Sequence, residues 1–163
     1  MNKDRFISVV KENQNLIFKI CNSYCSNPED RKDLQQEIMI QLWSSLKKFD
    51  GRVKISTWIY RIALNTAISF YRKDSRYKEK TASVDESIIS LPDFEPDAEQ
   101  EEKLALLYRF IDGLNEMDKA LILLYLDDNS YKAMAEILGI SETNVATKIS
   151  RIKHSLRAQI SNN

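Results

Sequence analysis

The chain has 163 residues, enough for one ordinary domain or two small ones, and with only three Gly and three Pro among abundant Leu, Ile, Ala, Lys and Glu it favours helix throughout. No apolar run is long enough to cross a bilayer and no signal-peptide pattern opens the sequence, so a soluble cytoplasmic protein is expected. The formal net charge is zero, and with a single His, two Cys and no Gly-rich phosphate loop the chain offers little to an enzyme.

The zero charge hides a segregation along the chain. Residues 1–73 hold 13 Lys/Arg against 7 Asp/Glu, residues 74–102 hold 3 against 10, and from Thr143 onward there are four bases and no acid. Two basic modules joined by an acidic strap is the better description.

In chain order, Phe6, Val9, Val10, Leu16, Ile17, Ile20, Cys21 and Tyr24 recur at helical spacing and predict a first helix or helix pair. Cys21 and Cys25 stand one turn apart there. With no His or further Cys nearby to complete a metal site, they read as small buried apolar residues, and no metal is expected. Asn27-Pro28-Glu29-Asp30 supplies an N-cap, a Pro at the first helical position and acids in the first turn of a second helix running to about Leu46. Phe49-Asp50-Gly51-Arg52 breaks it, and Ser56 or Thr57 is expected to cap a third helix through Trp58 to about Lys73.

Between Asp74 and about Glu99 the helical pattern fails. Pro92 and Pro96 lie among Ser and acidic residues, and Val84, Ile88, Ile89, Leu91 and Phe94 are too sparse for a core, so this stretch reads as a flexible linker. Helical spacing resumes with Leu104, Leu107, Tyr108, Ile111 and Leu114, and the run Ala120–Leu126 reads as a helix buried in a small bundle. The fold expected is all-α: a helical domain over 1–76, an acidic linker over 77–100 and a helix-turn-helix domain over 101–163.

The stretch from Ser130 to Arg157 carries the functional signal. Val145, Ile149, Ile152 and Leu156 fall within about 60° of one another on a helix. They form a seam facing Met134, Ala135 and Leu138, with Gly139 at a turn that needs positive φ and Ser141 placed to cap. The opposite face presents Thr143, Thr147, Ser150, Arg151 and His154, flanked by Asn144 and Lys148. Hydroxyls, an amide and a guanidinium suit base edges and phosphates in a major groove, although a helical hairpin with a solvated basic face has the same pattern.

The N-terminal helices carry two further surfaces. On the second, Asp33, Gln36, Glu37, Gln41 and Ser44 make a polar face with Ile40 in its middle, which suits a protein-docking patch and also fits a solvated face with one stray Ile. On the third, Ile59, Ile62, Ala63, Thr66 and Phe70 are expected inward. Arg61, Asn65, Ile68 and Arg72 are expected on an outer stripe with Trp58 at its edge and Tyr60 and Tyr71 nearby, followed by Lys73 and Arg76. Bases interleaved with aromatics suit phosphates and stacked, unpaired bases.

These segments together resemble bacterial sigma factors of the sigma-70 family, in the compact extracytoplasmic-function group. The carrying residues are Asp33-Leu34-Gln35-Gln36-Glu37, Leu42-Trp43, Phe49-Asp50-Gly51, Ser56-Thr57-Trp58-Ile59-Tyr60-Arg61-Ile62-Ala63, Asn65 and Tyr71-Arg72. In the C-terminal part they are Leu124-Tyr125-Leu126, Ser130-Tyr131-Lys132, Ala135-Glu136-Ile137-Leu138-Gly139-Ile140-Ser141, Val145, Lys148-Ile149 and Arg151. Two such patterns in order are far more specific than one helix-turn-helix. Ala146 stands where many members carry a base, and Asn115 where many carry Pro.

The resemblance implies roles. Asp33, Gln36, Glu37, Ile40 and Gln41 would dock on the β′ clamp helices of core RNA polymerase. Trp58, Arg61, Asn65, Ile68, Tyr71, Arg72 and Lys73 would bind the promoter −10 element with its non-template strand unpaired. Ser141, Thr143, Asn144, Thr147, Lys148, Ser150, Arg151 and His154 would read the −35 element while the domain sits on the β flap. An anti-sigma factor is a further partner implied, and no cofactor or small-molecule substrate is. The competing expectation is a dimeric helix-turn-helix regulator that binds duplex DNA without polymerase.

Overall fold

The computed structural model describes residues 3–75 and 97–162, and among these every regular element is a helix. They form two compact units of four helices each. The acidic stretch assigned to a linker falls, up to residue 96, outside the described residues. No described helix is long and apolar enough to cross a membrane.

The first unit comprises α1 (Lys3–Glu12), α2 (Gln14–Tyr24), α3 (Pro28–Leu46) and α4 (Ile55–Ser75). α1 and α2 are separated at Asn13, whose side-chain amide donates to the Val9 carbonyl at 2.8 Å and so competes with the helical ladder. α3 starts as the sequence dictates. Asn27 accepts from the Asp30 backbone N–H at 2.7 Å, Pro28 opens the helix, and Glu29 and Asp30 complement its dipole. The Arg31 Nε donates to the Cys25 carbonyl at 3.0 Å and ties this turn to the end of α2.

α2, α3 and α4 pack on one another through Ile17, Ile20, Cys21, Tyr24, Leu34, Ile38, Leu42, Leu46, Ile59, Ala63, Leu64 and Ala67, all buried. Each large aliphatic among them contributes about 1.5–3 kcal/mol by leaving water. Ala63 and Ala67, fully buried, let α4 approach its neighbours closely. The helix begins at Ile55, with the Trp58 N–H bonded to the Lys54 carbonyl at 3.1 Å. Ser56 and Thr57 therefore lie inside its first turn rather than capping it. The loop before it is shaped by Asp50, which holds Arg52 through its backbone N–H at 3.0 Å and its guanidinium at 3.1 Å. Phe49 packs on Trp58 with ring centroids 5.2 Å apart.

The second unit comprises α5 (Ala98–Asp112), α6 (Glu116–Leu126), α7 (Tyr131–Leu138) and α8 (Glu142–Ser161). α5 starts inside the span assigned to the linker, because Asp97 and Gln100 form a reciprocal capping box. Asn115, Ser130 and Ser141 each accept a hydrogen bond from the backbone N–H three residues on, at 2.8, 3.1 and 3.0 Å, and so cap α6, α7 and α8. Asn115 thus has a structural role of its own as the cap of α6. Leu121, Leu124, Met134, Ile137, Val145, Ile149 and Ile152 fill the core. Leu126, expected in the buried run, is exposed at the end of α6.

Candidate nucleic-acid and protein interfaces

On α8 the structure bears out the seam and the face opposite it. Val145, Ile149 and Ile152 are buried with Leu156 half-buried, while Ser141, Thr143, Asn144, Thr147, Ser150, Arg151 and His154 are exposed and Lys148 is half-buried on the flank. Gly139 sits at φ +70°, ψ 33°, the left-handed region that glycine enters without penalty. Its N–H and that of Ile140 both bond to the Ala135 carbonyl, closing α7 and turning the chain into α8. Thr147 donates its hydroxyl to the Thr143 carbonyl at 3.0 Å, which leaves the hydroxyl oxygen able to act only as an acceptor toward a ligand. Lys153 does not join the exposed polar face. Its Nζ lies 4.5 Å from the centre of the Tyr125 ring at the end of α6.

α3 exposes the face expected of it. Asp33, Gln36 and Gln41 are exposed, Glu37 is half-buried, and Ile40 is 57% exposed among them. The Gln41 Nε2 donates to Glu37 Oε1 at 3.0 Å. Trp43, one turn from Ile40, remains 45% exposed, and the Phe6 ring of α1 meets it edge-on at 4.9 Å.

On α4 one assignment is corrected. Arg61, Asn65, Arg72 and Lys73 are exposed and Trp58 and Tyr71 half-buried, but Ile68 is only 6% exposed and belongs to the core, as does Tyr60. Ile68 lies about 180° around the helix from Ile59, and both are buried. α4 is covered by α2 as well as α3, so its apolar arc spans half its circumference rather than one seam. Ile62, Thr66 and Phe70, expected inward, are only half-buried.

That rotation of the buried arc opens a groove between α3 and α4 that the sequence did not reveal. About 600 Å³ in volume, it is lined by Glu37 and Gln41 from α3 and by Asn65, Thr66, Ser69, Phe70 and Lys73 from α4. The amides, hydroxyls, aromatic face and Lys73 ammonium suit the edge of a base, while the Glu37 carboxylate on the α3 side disfavours a phosphate there. Thr66, Ser69 and Phe70 were missed as surface residues because a single-seam wheel places Thr66 and Phe70 inside.

Residues 9–77 match the family model of sigma-70 region 2, and residues 102–156 match that of sigma-70 region 4. The RNA polymerase sigma factor YlaC of Bacillus subtilis is 30% identical over 79% of this chain and 76% of its own length. The chain belongs to the sigma-70 family.

The ECF RNA polymerase sigma factor SigW of Bacillus subtilis is 27% identical over 98% of this chain and 90% of its own. Among solved structures, CnrH in complex with the cytosolic domain of CnrY aligns with a TM-score of 0.69 at 22% identity, covering 99% of this chain and 91% of that one. The sigma factor RpoE in complex with the anti-sigma factor NepR from Bartonella quintana aligns at 0.68 with 18% identity, covering 98% and 96%. These two support the all-helical fold. Family and relatives place the chain in the extracytoplasmic-function group, as an alternative sigma factor directing RNA polymerase to promoters. A dimeric regulator acting without polymerase is not favoured.

Proposed function

We propose that the two matched regions divide the work of promoter recognition in this chain residue by residue. Asp33, Gln36, Glu37, Ile40 and Gln41 of α3 dock on the β′ clamp helices of the polymerase core, with Ile40 as the apolar centre of a polar patch. Arg61, Asn65, Arg72 and Lys73, with Trp58 and Tyr71, bind the −10 element and hold its non-template strand. The exposed face of α8 reads the −35 element, its N-terminal turn and flanking bases positioned on phosphates. The observation that carries this reading is the coexistence on α4 of a buried arc and an outer one, where exposed Arg61, Asn65, Arg72 and Lys73 are flanked by half-buried Trp58 and Tyr71. A reader of duplex DNA alone has no use for the second.

Within this reading the chain works in the cytoplasm, contributes no active site of its own, and leaves the chemistry to polymerase. Opening of the −10 region is driven by binding energy, as side chains and bound bases replace base stacking at a few kcal/mol per step. An anti-sigma factor would control it, a reading supported by the structural relative RpoE, solved in complex with the anti-sigma factor NepR.

The test is transcription and permanganate footprinting with purified bacterial core polymerase on promoters selected from the protein's own genome. Arg61→Ala with Arg72→Ala is expected to reduce thymine reactivity in the −10 region at least tenfold while core binding stays unchanged. Undiminished opening by the double variant would remove the −10 assignment. Loss of core binding in it would move these arginines to the docking surface.

A further inference from the structure

Of the two bases of α8 outside the proposed reading face, Lys153 and Arg157, Lys153 is the more informative. Lys153 lies about 70° from the centre of the Val145–Leu156 seam and about 100° from the centre of the Thr143–Thr147–His154 face, on the flank turned toward α6 and α7. Its ammonium sits over the Tyr125 ring, 4.5 Å from the centroid, within the range of a cation–π contact. Interaction with the Tyr125 hydroxyl raises its pKa above the ordinary lysine value, a shift to which Tyr131 adds and which partial burial and Arg157 oppose. Tyr125 is in the last turn of α6 and Tyr131 in the first turn of α7, and both are half-buried.

We infer that Lys153 is a positioning residue, setting the rotation of the reading helix α8 about its own axis by anchoring it to Tyr125. The seam fixes α8 along one stripe, and a contact off that stripe adds a second constraint on its rotation. Val145, Ile149 and Ile152 hold α8 against the bundle by burial. Side-chain tips on the far face stand about 5–6 Å from the helix axis. A rotation of about 10° therefore moves them by about 1 Å, enough to misalign a hydrogen bond to a base edge. A cation held over one ring face is directional and sits off the seam, where it resists that rotation most effectively. Lys153 thereby affects sequence discrimination without touching DNA.

This inference rests on the reading that α8 recognises the −35 element, and the test separates the two. The full-length protein, assembled with core polymerase, is titrated with a promoter duplex selected from its own genome and with a scrambled duplex of equal length, at several salt concentrations. Wild type preferring neither duplex would overturn the sigma reading and this inference with it. Given that preference, Lys153→Met is expected to lower the promoter-to-scrambled affinity ratio about threefold to tenfold. The slope of log affinity against log salt should stay unchanged. Tyr125→Leu should match that loss, and the double variant should lose no more than either single one. Lys153→Arg and Tyr125→Phe, which keep the cation and the ring, should retain the ratio within about twofold. Thermal unfolding of each variant identifies any that lose the fold.

A salt slope reduced by about 0.9 in Lys153→Met would make Lys153 a phosphate contact and overturn the inference. So would an unchanged affinity ratio, or losses that add in the double variant.

Discussion

Two glycines of the second unit offer a paired test of the turn that orients α8. Gly139 lies at φ +70°, ψ 33°, and a Cβ built there meets nothing within 4 Å. Replacement by Ala thus brings no clash, and its whole cost is the left-handed backbone, about 1–2 kcal/mol. The reduced entropy of the unfolded chain offsets about 0.4–1 kcal/mol of that. Gly139→Ala should therefore destabilise by about 1 kcal/mol. Gly113, at the end of α5, has φ −80° and ψ −5°, and its Cβ would lie 3.7 Å from the Arg109 and Phe110 carbonyl oxygens, an ordinary van der Waals contact. There only the unfolded-state effect operates, and Gly113→Ala should stabilise by about 0.5 kcal/mol.

For a unit of this size 1 kcal/mol corresponds to about 4–8 °C in Tm, so the two variants should move the transition in opposite directions. The assay has a built-in control. Both tryptophans, Trp43 and Trp58, lie in the first unit. Tryptophan fluorescence should report a transition unchanged by either substitution, while helical circular dichroism records the shift of the second unit. Equal shifts from the two glycine variants would refute the conformational argument, because both remove the same residue from the same unit.

Ile68→Ala should cost about 2–4 kcal/mol as a core truncation and lower the fluorescence transition, whereas Arg61→Ala on the exposed side should stay within about 0.5 kcal/mol of wild type. An Ile68 variant as mild as the Arg61 one would return that residue to the surface stripe. Cys21 has its thiol pKa pushed up from 9.0 to about 12 by burial, with Cys25 adding and its backbone hydrogen bond opposing. Between these values the unfolded thiol has lost its proton and the native one has kept it, so stability falls as pH rises, by at most a little over 1 kcal/mol per pH unit. Urea midpoints measured from pH 8 to 11 for wild type and Cys21→Ala should diverge accordingly, and parallel curves would show that Cys21 does not carry the effect.

Helix ends with a complete local signal were legible in this chain, whereas the starts of α4 at Ile55 and of α5 at Ala98 were not. Asn27-Pro28, Ser141 and Gly139 act in the structure as their sequence contexts require, since a cap or a left-handed turn is a local property. The seam of α8 was legible for a related reason. The helix is covered along one stripe only, and one stripe is what a 3.6-residue period reports. α4 was read less well because tertiary contacts override its pattern. Packed by α2 and α3 together, it buries residues as far apart as Ile59 and Ile68, and a single-seam wheel had placed Thr66 and Phe70 inside and Ile68 outside. Lys153 illustrates the same limit: four bases in a row of turns look alike in sequence, and only the ring at Tyr125 distinguishes one of them.

The two-sided burial of α4 bears directly on how a melted strand could be held. A surface that replaces base stacking must keep its aromatic and basic groups in place before the strand arrives, since ordering them on binding would consume the energy needed to separate the bases. Loops are poorly suited to that task. In this chain the exposed Arg61 and Asn65 stand on the same turns as Ala63, Leu64 and Ala67, which are fully buried against neighbouring helices, and Arg72 follows about one turn after the buried Ile68. Trp58 is held by Phe49 and Tyr71 by Tyr24 through ring contacts at 5.2 and 6.2 Å. The half of α4 that the sequence pattern misjudged is therefore what makes the other half rigid, and a strand bound there would meet side chains already set by the core beneath them.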